Sequence, residues 1–222
     1  MPRLARRVAS MLSRTRPAWP ASALLLVLVL AVAGLRYLTF GFTAWTLDDR
    51  RETRIAQGAL VLPAIETRNQ AGEPARLFGA GREQGAQFFL VDFIYTRCLS
   101  VCRALGSEFE QLQGRIRADG LDGRIGLVSL SFDPAGDDTA SLAAYARAHH
   151  AQLPGWQVAA PVAAPAMQAL LRDADVIAIP DGLGGFEHNG GVHVADAHGR
   201  VLAVYALADY QQAYDFARRH LP

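Results

Sequence analysis

The chain has 222 residues, about 51% of them hydrophobic, enough for one full core with a short segment to spare. Its 22 basic residues are all arginine, against 21 acidic ones, and the formal net charge of +1 conceals an asymmetry. Arg3, Arg6, Arg7, Arg14, Arg16 and Arg36 all precede the first acidic residue, Asp48, so the rest of the chain carries a formal −5. A basic tail ahead of an acidic domain argues against nucleic acid as that domain's partner.

Residues 1–16 form the basic tail, and 17–36 contain the uncharged run "PAWPASALLLVLVLAVAGL". As a helix this run reaches about 28 Å at about 1.5 Å per residue, nearly the thickness of a bilayer's hydrocarbon core. The arginines ahead of it place the N-terminus on the cytoplasmic side and the domain outside the cytoplasm. Two readings share that consequence: a transmembrane anchor that is retained, and a signal segment cleaved near Ala31-Val32-Ala33. Residues 37–61 then read as a juxtamembrane connector, where "LDDRRETR" shows no clear period, and 62–222 as the folded domain.

Within that domain "IETRNQAGEPARLFG" predicts a small hairpin turning at Gly72. "FFLVDFIY", Phe88 to Tyr95, predicts a strand covered on both faces. Cys102, Leu105, Phe109 and Leu112 follow at helical spacing, so both cysteines fall where a strand becomes a helix. "RIGLVSLSF" predicts a second strand and "DDTASLAAYARAHH" a second helix. A further helix in "AAPAMQALLRDA" precedes a glycine-rich loop, "IPDGLGGFEHNGG"; a hairpin turning at Ala197-His198-Gly199 and the helix "DYQQAYDFARRH" close the chain. A β-α-β-α half followed by a β-β-α half specifies an α/β, thioredoxin-like mixed sheet flanked by helices, preceded here by an N-terminal transmembrane helix.

Cys98 and Cys102 are the only cysteines. Four residues apart on a helix, their Cα atoms would lie about 6.2 Å apart on one face, a distance that suits a disulfide or a shared metal. The helix N-terminus favours thiolate over thiol, which makes the pair reactive. A purely structural bridge is the competing reading, weakened by the short loop it would close. Soft thiolates favour Cu(I), and one imidazole completes a three-coordinate site. Of the six histidines, His149 and His150 read as helix C-caps, and with His198 and His220 as ordinary surface residues. His193, inside "GVHVAD", reads as a satisfied core histidine; His188, in the glycine-rich loop, reads either as a ligand delivered opposite the cysteines or as a solvated loop residue.

The segments "FIYTRCLSVC", "SFDPAGDDTASLAAYA" and "FEHNGGVHVADAHGRVL", in that order, resemble the Sco/SenC family of copper-binding proteins from about Leu62 to the C-terminus. The resemblance implies that Tyr95 and Thr96 end the strand, that Cys98 and Cys102 are thiolate ligands to copper, and that His188 is the imidazole ligand. It matches Asp133-Pro134 with Asp138-Thr139 to the turn into the second helix. Two positions depart from the family pattern: Leu99 stands where proline follows the first cysteine, and Glu187 where aspartate precedes the histidine. Loss of the proline relaxes the backbone around Cys98, whereas Glu187 keeps the charge.

What the resemblance implies is a copper chaperone held by one membrane pass in a bacterial inner membrane, with its domain in the periplasm. Its expected partner is the copper-site subunit of cytochrome c oxidase, with a thiol-reducing protein as a second partner. The alternative is a thiol-disulfide oxidoreductase in which Cys98, as the more exposed cysteine, attacks and Cys102 resolves, without metal. His188 separates the two uses, since only metal binding needs it.

Overall fold

Where strands carry their apolar residues on both faces, a sheet needs helices on each side, and that is the arrangement observed. The computed structural model describes residues 19–79, 86–98, 101–182 and 184–222, with residues 19, 20, 101 and 102 described by backbone alone. The basic tail 1–16 and the Leu99 departure lie outside the described residues. The chain divides into two compact units, Met1–Arg50 and Arg51–Pro222.

In the first unit, helix α1 (Trp19–Leu38) contains an 18-residue stretch, Ala21–Leu38, of mean hydropathy 2.2 with none of it buried. It is long and apolar enough to cross a bilayer. The connector differs from expectation: α2 (Leu47–Ala56) is helical, and from Arg51 onward it belongs to the second unit. Its start is a capping box, in which the Asp49 amide donates to Thr46 Oγ1 at 3.0 Å and Asp49 Oδ2 accepts from the Thr46 amide at 2.9 Å. Those backbone donors, Thr46 first and Trp45 second, hold the Asp49 carboxyl below the usual range.

In the second unit the strands are β1 (Ile65–Asn69), β2 (Pro74–Leu77), β3 (Phe88–Ile94), β4 (Ile125–Ser131), β5 (Trp156–Pro161), β8 (Val192–Asp196) and β9 (Val201–Tyr205). They form one sheet in the order β2-β1-β5-β4-β3-β8-β9. β3, β4 and β5 run parallel at its centre, and antiparallel hairpins complete both edges. Central strand β5 was not foreseen as an element; "WQVAAP" is short and carries no alternation, because all six of its residues are buried.

The helices are α3 (Val101–Ala118), α4 (Thr139–Ala148), α5 (Ala164–Asp173) and α6 (Tyr210–Arg219). α3 buries Leu105, Phe109, Leu112 and Ile116 at spacings of three or four, each at most 3% exposed. Burial of side chains of this size stabilises the domain by about 1.5–3 kcal/mol each. α4 and α6 share that face, tied to α3 by Gln113, whose Nε2 donates to the His150 carbonyl, and by Arg115, which pairs with Asp215. On the opposite face Phe93 packs edge-on against His193, which reaches the end of α5.

The expected glycine-rich loop is a second, two-stranded sheet, β6 (Ala178–Pro180) with β7 (Phe186–His188), so His188 pairs in register with Ala178. Gly182 and Gly184, at φ +75° and +90°, allow the chain to reverse between the two strands.

Candidate metal centre

Cys98 follows the end of β3, where its amide donates to the Tyr95 carbonyl at 3.1 Å. The turn that carries it is gripped by Asp137, which is only 2% exposed. Asp137 Oδ2 accepts from the Thr96 amide at 2.9 Å and from Ser131 Oγ at 2.6 Å, while Oδ1 accepts from Thr96 Oγ1 at 2.6 Å. Ser131 Oγ in turn accepts from the Asp133 amide, and Asp133 Oδ2 lies 2.6 Å from Arg97 Nη2. The loop entering the cysteine segment is thereby fastened to the end of β4.

This geometry corrects one expectation. Cys102 is the second residue of α3 but Cys98 lies outside that helix, so the pair does not share a helix face. The Tyr95–Cys98 turn and the grip of Asp137 hold Cys98 in the connection instead. Cys98 is also buried, at 6% exposed, which does not suit the role of an exposed attacking thiol. The Cys102 side chain lies outside the described residues.

His188 is presented from the other side by an aromatic cluster. Phe132, next to Ser131, has its ring centroid 5.2 Å from that of His188, and Tyr95 lies 6.5 Å away, both edge-on. Phe186 packs at 5.2 Å against each of Tyr95 and Phe132. Burial among these rings lowers the His188 pKa, so near neutrality its imidazole is uncharged and able to donate a lone pair. Tyr95 joins the two halves, its carbonyl receiving the Cys98 amide while its ring borders His188.

Among the described residues, no three His, Cys, Asp or Glu side chains form a metal-holding group. Of the three expected donors, Cys98 and His188 are the two whose side chains are described, and a thiolate with a neutral imidazole would suit a soft ion such as Cu(I), or Zn(II). Sequence reasoning missed Asp137, Arg97, Phe132 and Phe186 as site residues; the adjacent acids Asp137-Asp138 were the available signal. Asp138 caps α4 through the Ser141 amide at 2.8 Å, which leaves Asp137 to turn back toward Thr96.

The remaining histidines mostly fall as expected. His193 is a core residue as expected, 2% exposed with Nε2 3.3 Å from the Ala174 carbonyl and its pKa depressed by burial to about 4, but it is only half satisfied, since its buried Nδ1 has no hydrogen-bond partner among the described residues. His150 is exposed and pairs with Glu110, while His198 and His220 are exposed. His149 departs from expectation: it caps α4 but is only 8% exposed. Its ring lies against Gly106 of α3, where an added Cβ would come within 2.5 Å of three ring atoms.

One further ionisable group lies on the strand that leads to Cys98. Asp92 on β3 is fully buried, with no hydrogen-bond partner for either carboxyl oxygen among the described residues. Burial raises its pKa to about 7, the nearby Glu108 carboxylate adding to the effect and the Ser129 hydroxyl across the β3–β4 ladder opposing it.

Among known proteins the chain is similar to the SCO1 protein homolog of Bacillus subtilis (strain 168), 25% identical over 121 residues, or 54% of this chain. The chain spans 62% of the length of that relative. The structure resembles ScoI of Bradyrhizobium japonicum with copper bound (TM-score 0.57, 21% identity, covering 72% of this chain and 99% of that one). It also resembles BsSco, a Sco family cytochrome c oxidase assembly protein in which a disulfide switch has been identified (TM-score 0.60, 18% identity, 72% and 91%). At these identities the two structures establish the fold. The family model SCO1/SenC matches residues 77–215, well over half of the sequence, and the chain belongs to the SCO1/SenC family.

Proposed function

We propose that this protein is a copper chaperone in which Cys98, Cys102 and His188 hold one copper ion as cargo for a copper-site subunit of cytochrome c oxidase. The observation that carries the reading is the junction at Tyr95, where the turn bearing Cys98 and the strand bearing a neutral, half-buried His188 meet. Copper-bound ScoI and the oxidase-assembly role of BsSco support both the ion and the client. Cys98 and Cys102 bind as thiolates, so loading requires the reduced pair and releases the thiol protons. An apolar aromatic surround limits water around the imidazole and favours a soft ion over a hydrated hard one.

The organisation proposed around this site is a basic tail at 1–16, an anchor or signal segment at 17–36, a connector at 37–61 and the copper domain at 62–222. The apolar helix α1 supports attachment to the bacterial inner membrane by a single pass, and the arginines ahead of it support a periplasmic domain.

The disulfide switch of BsSco favours a second use of the same cysteines. In thiol-disulfide exchange, one thiolate attacks a client disulfide sulfur and releases one client thiolate. The other cysteine then breaks the mixed disulfide, leaving the client reduced by two electrons and this chain oxidised.

Anaerobic titration of the reduced, detergent-solubilised chain with Cu(I) against a competing chelator separates the two uses. The chaperone reading expects tight one-to-one binding, lost in Cys98→Ser. It also expects His188→Ala to weaken binding by more than the roughly 10–100-fold that loss of a supporting partner costs. Affinity indifferent to His188 would remove it from the site and leave thiol exchange as the function.

A further inference from the structure

The turn after α5 connects the connector helix α2 to the strand that carries His188. Asp175 stands in this turn in a left-handed conformation, φ +60°. From α2, Arg54 Nη1 lies 2.8 Å from Asp175 Oδ1, and Arg51 Nε 3.7 Å from Oδ2. On its other side the Asp175 carbonyl accepts from Asn189 Nδ2 at 3.0 Å. Asn189 Oδ1 accepts from the Ile177 amide at 2.6 Å, and the Asn189 amide donates back to the Ile177 carbonyl at 3.2 Å. Asn189 directly follows His188 and so secures the end of β7 to the turn. Beneath them the Ala174 carbonyl lies 3.3 Å from His193 Nε2, which ties the turn to β8.

We infer that Asp175 is a positioning residue for His188: held by Arg51 and Arg54 of α2, it fixes the turn from which Asn189 anchors the end of β7 that presents the imidazole. The inference rests on the reading of His188 as a copper ligand. The argument is one of proportion. The Arg54–Asp175 pair is part-exposed, with side chains 28% and 35% accessible, so its loss barely changes global stability. The β6–β7 sheet has three residues in each strand, however, and a two-stranded sheet of that size depends on its anchors for order. When an anchor loosens, the binding-competent fraction falls, and apparent affinity falls in the same ratio.

The test uses full-length protein in detergent micelles, with Cu(I) affinity read by chelator competition for the parent, Asp175→Asn, Arg54→Ala, His188→Ala and the Asp175→Asn/His188→Ala double variant. Asparagine tolerates the left-handed region nearly as aspartate does, so Asp175→Asn removes the charge and keeps the turn. The expected result is about three- to five-fold weaker binding in Asp175→Asn and Arg54→Ala, with an unchanged urea midpoint. In the His188→Ala background Asp175→Asn should weaken binding no further, because residues acting through one another are not additive. Equal weakening in both backgrounds would show that Asp175 acts elsewhere and overturn the inference. So would Asp175→Asn binding at parental strength while His188→Ala is impaired, and that outcome leaves His188 a ligand. Unimpaired His188→Ala would instead remove the chaperone reading, and this inference with it.

Discussion

The turn that presents Cys98 is fastened to the sheet by a buried carboxylate, whereas the hairpin that presents His188 is fastened by aromatic rings and the part-exposed pairing of Asp175 with Arg54 and Arg51. Hydrogen bonds to a charge are short and directional, so they fix the Cys98 turn to a single geometry. Ring contacts tolerate sliding, and a three-residue strand pair has few hydrogen bonds of its own. On the proposed reading, a metal held across the two would have one stationary donor and one adjustable donor. That division suits an ion that must be bound and then given up.

Removing the charge breaks the comparison most severely. Asp137→Ala deletes the acceptor for the Thr96 amide, the Thr96 hydroxyl and the Ser131 hydroxyl in a position 2% exposed. Bonds to a charged group contribute about 1.5–3 kcal/mol each and are only partly recovered by relaxation, so a loss of about 4–5 kcal/mol is expected in urea unfolding. A loss below about 1 kcal/mol would mean that the turn does not depend on this carboxylate.

The second test concerns the strand beneath Cys98. The Asp92 carboxyl keeps its proton to about pH 7 in the folded chain but releases it near 3.8, its ordinary value, when unfolded. Between those values the folded state binds one proton more, so this group's contribution to stability is lost as pH rises through the window, about 4 kcal/mol in total. His193 acts in the opposite sense. Its pKa falls from 6.5 to about 4 on folding, so its contribution is present above 6.5 and lost as the pH drops toward 4. In Asp92→Asn the trend of the buried histidines should dominate, His193 with His149 and His188 in the same sense, and stability should rise from pH 4 to pH 6.5 and then level. A pH profile parallel to the parent's would show that Asp92 is ionised in the folded chain at neutral pH.

The parts that could be read from sequence are those where periodicity and burial coincide. β3, β4 and α3 announce themselves because their large apolar side chains, among the described residues, are used by the core, and the β8–β9 hairpin because its turn residues interrupt an alternation. α2 was illegible as a helix since it buries none of its residues, and only the Thr46–Asp49 capping box marked its start. "IPDGLGGFEHNGG" reads as loop from its glycines, although those glycines are what allow β6 and β7 to pair. Cys98 was legible as a cysteine following a strand. Its surroundings were not, because Tyr95, Phe132 and Phe186 come from three separate segments and each looks like ordinary core when taken alone.

The mildest change sharpens the comparison without disturbing the rest of the fold. Phe186→Leu keeps an apolar side chain but removes the edge-on contacts to Tyr95 and Phe132. Such contacts contribute about 0.5–1.5 kcal/mol beyond their area, which corresponds to roughly five-fold more frequent local opening. Amide hydrogen exchange reads that opening position by position. In the hairpin, the amides of Asp181, bonded to the Gly185 carbonyl at 3.0 Å, and of Gly185, bonded to Asp181 Oδ1 at 2.9 Å, should exchange faster by that factor. The Thr96 amide, held by Asp137, should keep its parental rate. Equal acceleration at Thr96 would mean that the turn and hairpin open as one unit. The division between a fixed thiol and an adjustable imidazole would then fail, because the aromatic cluster would be binding both donors into a single cooperative element.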